Sequence, residues 1–161
     1  MRDVTIVYWD FDGVLRPTQS NPRLTRDGFD PSCIAVANAV HAATGALAVV
    51  SSTWRRDQRC RQIMADNGFA AALLDANWMT PDDRDGHRDR CDDVDAHMAQ
   101  CARMGYRIRG FAIVDDLYGP LPAHHAPHLV STDPRHGVTP SHIGMITAAL
   151  GVAVSGDCYA A

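Results

Sequence analysis

The chain has 161 residues, the size of one domain with a sizeable core, and its 46% hydrophobic and 21% charged residues exclude a disordered or collagen-like chain. The formal charge of −4 removes bulk attraction as an argument for nucleic-acid binding, so a polyanion would have to be met by a local basic patch. Five cysteines, Cys33, Cys60, Cys91, Cys101 and Cys158, are scattered without a CxxC pair, the pattern of reduced thiols more than of a disulfide framework or zinc site. No apolar run is long enough to span a bilayer and no signal peptide precedes the first strand, so a cytoplasmic protein without a membrane partner is expected.

Thr5 to Tyr8 are β-branched, aliphatic or aromatic and predict a buried strand running into Asp10, Phe11, Asp12 and Gly13. The pleat sends residues i and i+2 to one side, so Asp10 and Asp12 are expected to face one crevice while Phe11 turns into packing. Two carboxylates this close repel, and a divalent cation relieves them. Gly13 then permits a turn that a Cβ would hinder. Taken alone, DFDG reads equally well as an acidic turn. Residues 16–31 are polar and broken by Pro17, Pro22, Gly28 and Pro31, which predicts a loop or short hairpin and no inserted domain.

Asp30 and Pro31 predict the N-cap and first residue of a helix that includes Ile34 to Thr44 and is closed by Gly45. Ala46 to Val50 predict a second buried strand. Ser51, Ser52 and Thr53 follow it, where hydroxyls and free backbone N–H groups suit a phosphate and equally suit helix capping. A helix is predicted over 55–67, stopped by Gly68. On it Arg55 and Arg59 share a face, either as a basic rim for an anionic substrate or as an ordinary solvated surface.

Phe69 to Leu74 predict a third strand, and 75–90 an irregular charged connection containing Arg88 and Arg90. In the helix predicted over 92–104, Val94, Met98 and Cys101 recur at i, i+4 and i+7 as a core stripe. Phe111 to Val114 predict a fourth strand that runs into Asp115 and Asp116. A second strand ending in acids supports a metal site independently of the first. His124, His125 and His128 lie in a Pro-rich segment whose lack of helical continuity argues against zinc. His128 to Ser131 predict a fifth strand. Thr139 and Pro140 predict the start of a last helix to Leu150, with Ile143, Ile146 and Leu150 toward the sheet. The alternation implies an α/β three-layer sandwich on a parallel sheet, one domain over 1–151 with a tail over 152–161. Asp10, Ser51 and Asp115 then all fall at carboxyl ends of strands, where such sheets bind ligands.

An apolar strand entering DFDGVL, VVSSTWR at 49–55, Arg90 ahead of an acidic helix start in RCDDV, and IVDD at 113–116 resemble, in that order, the four motifs of the haloacid dehalogenase-like (HAD) phosphohydrolases. The wording SSTWR with the later HLVSTDPRHGVT is most similar to the small HAD domains of RNA repair systems, over residues 4–150. The resemblance implies five strands in the order 5-4-1-2-3 and no substantial cap. It implies Asp10 as nucleophile, Asp12 as acid and base, Ser51 on a phosphoryl oxygen, and Arg90 neutralising charge, with Arg88 in reserve. Mg²⁺ would be held by Asp10, the backbone carbonyl of Asp12, and Asp115, with Asp116 as a water-mediated ligand or positioning group. Ser52 and Arg55 are the expected substrate contacts, and Trp54 or Trp78 a stacking surface for a base. A site without a cap is open to a bulky phosphorylated substrate such as a nucleic-acid 3′-phosphate end. A small-molecule nucleotidase, and a noncatalytic Mg²⁺-binding or receiver-like module, are the rival readings.

Overall fold

The structure is a computed structural model and describes residues 1–82, 89–117 and 119–154. Strand β1 (Arg2–Trp9) lies inside a four-stranded parallel sheet, between β2 (Leu47–Val50) and β3 (Tyr106–Asp115), with β4 (Leu129–Ser131) outside β3. Alternate residues of β1 enter opposite layers. Val7 and Trp9 pack with α1 (Pro31–Thr44), α2 (Cys60–Asp66) and α4 (His142–Leu150), while Ile6 and Tyr8 pack with the Val94, Met98 and Cys101 stripe of α3 (Arg90–Arg103). This is the expected three-layer α/β sandwich, centred on the strand that delivers Asp10.

The number of strands differs from expectation: there are four among the described residues, and Phe69 to Leu74 do not form the third of five. That segment meets β2 at one isolated bridge, Ala48 with Leu73, and the chain meets it again at Val50 with Met79. Between them a 3₁₀ turn over Asp75–Asn77, with Asp75 at φ 34°, interrupts the ladder. An alanine-rich edge offers little β-branched surface to keep it extended. The remaining strands keep the expected order.

Local chemistry explains the helix boundaries. The Asp30 carboxylate accepts from the Ser32 N–H at 2.8 Å, Pro31 opens α1, and Gly45 at φ 68° closes it. Helix α2 is shorter than the predicted span over 55–67. Thr53–Arg56 form a separate 3₁₀ turn and the chain breaks at Asp57 before Cys60. Helix α4 begins two residues after Pro140, with the Thr139 hydroxyl tied to Ser141 and His142. Residues 17–30 contain no helix or strand, so no second domain enters there. No described helix is long and apolar enough to cross a membrane. Cys33, Cys60, Cys91 and Cys101 are free and buried, and burial pushes each thiol up to about 11; Cys158 lies outside the described residues.

Between α3 and the sheet, His97 is fully buried. Its Nδ1 accepts from the Tyr8 hydroxyl at 2.9 Å, and its Nε2–H donates to the Asn77 carbonyl at 2.8 Å. Burial lowers its pKa from 6.5 to about 4. Between those values only the unfolded chain takes the proton, so this group makes stability fall as pH drops through the window, by on the order of 3 kcal/mol in all. Urea midpoints at pH 8 and pH 5 are expected to lie closer together for His97→Gln than for the wild type.

Candidate active site

Trp9 and Val114 are paired neighbours on β1 and β3, so the residues that follow them, Asp10 and Asp115, arrive side by side at the carboxyl edge of the sheet. The Ser51 N–H bonds the Trp9 carbonyl at 3.0 Å and brings the end of β2 to the same edge. All three side chains are buried. Asp89 caps α3 through a reciprocal pair with Asp92, which fixes the first residue of the helix, Arg90. The guanidinium of Arg90 then lies between the strands, with Nε 2.9 Å from Asp115 Oδ2 and Nη2 3.4 Å from Asp10 Oδ1. Arg88, the reserve cation, lies outside the described residues.

Burial pushes the Asp10 carboxyl above its ordinary pKa; Arg90, the Phe11 amide and the Ser52 hydroxyl offset this in part, and Asp116 adds to it. Asp115 is raised likewise, first by burial, against Arg90, and further by Asp10 and Asp116. One arginine does not neutralise this group. Asp10, Asp115 and Asp116 each offer an oxygen, all within 4.8 Å of one another, and Asp115 Oδ1 is buried without a hydrogen-bond partner. Excess negative charge, all-oxygen donors and an orphaned carboxylate oxygen fit a hard divalent cation such as Mg²⁺.

Gly13 makes room for this arrangement. It stands at φ 78°, and a Cβ there would come 2.8 Å from the Asp116 carboxyl carbon and 3.0 Å from Pro134. The Thr132 hydroxyl, at the end of β4, donates to the Gly13 carbonyl at 2.8 Å and ties the turn to the sheet.

Asp12 stands on this turn, after the strand has ended, so strand alternation does not pair it with Asp10. The Gly13 N–H reaches back to the Arg16 carbonyl at 2.9 Å. The Asp12 carboxylate, half exposed, is ion-paired with Arg16 and accepts from Trp54 Nε1 at 3.3 Å. Arg16, which the sequence reading passed over, also lies over the Trp54 ring, 4.4 Å from its centroid. The only signal was its spacing of four from Asp12 across a glycine turn.

Ser51 and Ser52 are both buried. Ser52 Oγ caps the following 3₁₀ turn at the Trp54 N–H, 3.3 Å away, whereas Ser51 Oγ has no hydrogen-bond partner. Arg55 does not lie on an exposed helical face. The chain breaks at Asp57, so Arg55 and Arg59 never share a helical face, and Arg55 is turned inward. It donates to the Ser51 and Ser52 carbonyls at 3.0 and 2.9 Å and to Asp93 at 2.9 Å, clamping the serine loop to α3. Arg55→Met strips this cation from a buried carboxylate and is expected to cost about 3–5 kcal/mol in urea denaturation. Arg59, exposed and paired among the described residues only with Asp57, should cost under about 0.5 kcal/mol when changed to Ala. Each tryptophan already carries an arginine: Trp54 packs against Phe11 and Phe29 with Arg16 over its ring, and Arg61 lies 5.5 Å from the Trp78 centroid.

Neither the curated proteins nor the solved structures yield a match to this chain. A family model does: the one described as the HAD domain in Swiss Army Knife RNA repair proteins matches residues 6–143, a span from within β1 to the start of α4. It takes in both acidic strand ends, the serine loop and Arg90, and with most of its length matched the chain belongs to that family of small HAD domains of RNA repair systems.

Proposed function

We propose that the chain is a Mg²⁺-dependent phosphohydrolase that works through an aspartyl phosphate and acts on a phosphorylated nucleic-acid end, the 3′-phosphate in particular. The convergence of Asp10 and Asp115, at the ends of adjacent strands, on Arg90, at the start of α3, carries this reading. An Asp10 carboxylate oxygen attacks phosphorus. The bond from phosphorus to the leaving oxygen breaks as the Asp12 carboxyl gives that oxygen its proton. Asp12, now a carboxylate, takes a proton from water whose oxygen attacks the same phosphorus, and Asp10 leaves with inorganic phosphate released. Arg90 neutralises charge on the transferring group, and the unpartnered Ser51 hydroxyl is available to a phosphoryl oxygen. Mg²⁺, when bound by Asp10, the Asp12 backbone carbonyl, Asp115 and Asp116, shields the nucleophile from the substrate's own charge.

One observation favours a polymeric substrate: no cap domain covers the site within the described residues. Phosphate release with Mg²⁺ from a 3′-phosphorylated oligonucleotide, a 5′-phosphorylated one and free mononucleotides tests the reading. The 3′-phosphorylated oligonucleotide is expected to be the best substrate by kcat/KM. Equal turnover of mononucleotides would replace the nucleic-acid end by a small-molecule nucleotidase, and no release from any would favour a noncatalytic Mg²⁺-binding module.

A further inference from the structure

We propose that Asp95, His124 and His125 form a second metal site, built for Zn²⁺ or a chemically similar transition-metal ion. Asp95 lies on α3, one turn beyond Arg90, and the two histidines lie in the segment between Asp116 and β4. His125 Nε2 is 2.7 Å from Asp95 Oδ1, and His124 Nε2 is 3.0 Å from Asp95 Oδ2. One nitrogen of each ring and a carboxylate oxygen all lie within 4.8 Å of one another. A four-coordinate ion with bonds of about 2.0–2.2 Å separates its ligand atoms by about 3.3 Å. His124 Nε2 already stands 3.2 Å from Asp95 Oδ1, and the closer His125 nitrogen, at 2.7 Å, has to draw back.

Charge favours an ion over a hydrogen-bonded cluster alone. Among the described residues the ion-pair partners of Asp95 are these two histidines and no arginine. An ion would supply the partly buried carboxylate with a full countercharge. His125 is fully buried, with Nε2 toward Asp95 and Nδ1 without a hydrogen-bond partner. Imidazole ligands select zinc and its neighbours, whereas the all-carboxylate group at Asp10 selects a harder ion. His128 takes no part: its Nδ1 bonds the Phe111 carbonyl at 2.9 Å and its ring stacks on Phe111 at 3.7 Å. The adjacent His pair is therefore the ligand motif, and the His-x3-His spacing is not. An ion there would staple the helix bearing Arg90 to the segment that follows Asp115 and Asp116.

The test uses the full chain, stripped with a chelator and kept in millimolar Mg²⁺ so that the carboxylate group at Asp10 is satisfied. Titration with Zn²⁺ by calorimetry is expected to show one equivalent bound, and Tm to rise by about 5 °C at a hundredfold excess over Kd. Both effects should vanish in His124→Ala and in Asp95→Asn while persisting in Asp10→Asn. Melting of the two ligand variants without Zn²⁺ reports that they are folded. Absence of Zn²⁺ binding by the wild type, or binding that survives in His124→Ala and Asp95→Asn, overturns the site. Neither readout involves phosphate release, so the result stands apart from the proposed phosphohydrolase activity.

Discussion

Asp10→Asn is expected to lower phosphate release by about 10⁴-fold or more while raising the urea midpoint of the protein. The loss follows from chemistry: an amide oxygen does not form the acyl phosphate, and no other described carboxylate occupies its place at the end of β1. The gain in stability follows from burial. The Asp10 carboxyl is held above its ordinary pKa by desolvation first and by Asp116 as well, against partial relief from Arg90. A carboxyl raised in this way contributes stability at pH values below its unfolded pKa and loses that contribution as pH rises through the folded value. At pH 8 without metal the charged form is the strained one, and asparagine removes the charge at nearly constant shape. Activity assays and urea titrations of the same preparation check the two signs together.

The second large effect belongs to Arg90. Arg90→Met is expected to reduce kcat by about 10³-fold, the scale on which a charge-stabilising arginine acts in phosphoryl transfer. It is also expected to destabilise the fold by about 3–5 kcal/mol at pH 8, because it leaves two buried acids facing each other without their cation. The direction is opposite to that of Asp10→Asn although both substitutions remove one charge from the same site. Arg90→Lys separates charge from shape. It should recover stability more fully than rate, since one ammonium has no planar fork to reach Asp10 and Asp115 together. Steady-state kinetics and denaturation of the three variants measure this divergence.

The parts of the site legible in the sequence are those fixed by neighbours in the chain. A strand that ends in Asp10, another that ends in Asp115 and a helix that opens on Arg90 are each written within a few residues, and parallel pairing brings the ends together. What escaped reading depends on contacts distant in sequence or on a broken local pattern. Arg55 has the spacing of a surface residue, but the break at Asp57 and the acid on α3 draw it inward. The Asp12 carboxylate is set by a turn that also brings Arg16 and Trp54 to it. Phe69 to Leu74 have the apolar content of a strand but meet β2 at a single isolated bridge before the turn at Asp75. His125 meets Asp95 from 30 residues away, which no spacing rule anticipates.

Rapid-quench trapping tests the central claim most directly: a 3′-phosphorylated oligonucleotide labelled on its terminal phosphate is mixed with an excess of enzyme and Mg²⁺, and label on the protein is mapped by mass spectrometry. Transient label on Asp10 in the wild type, with none in Asp10→Asn and no phosphate release by that variant, is the predicted result. Label on another residue, or phosphate release by Asp10→Asn at the wild-type rate, would contradict it.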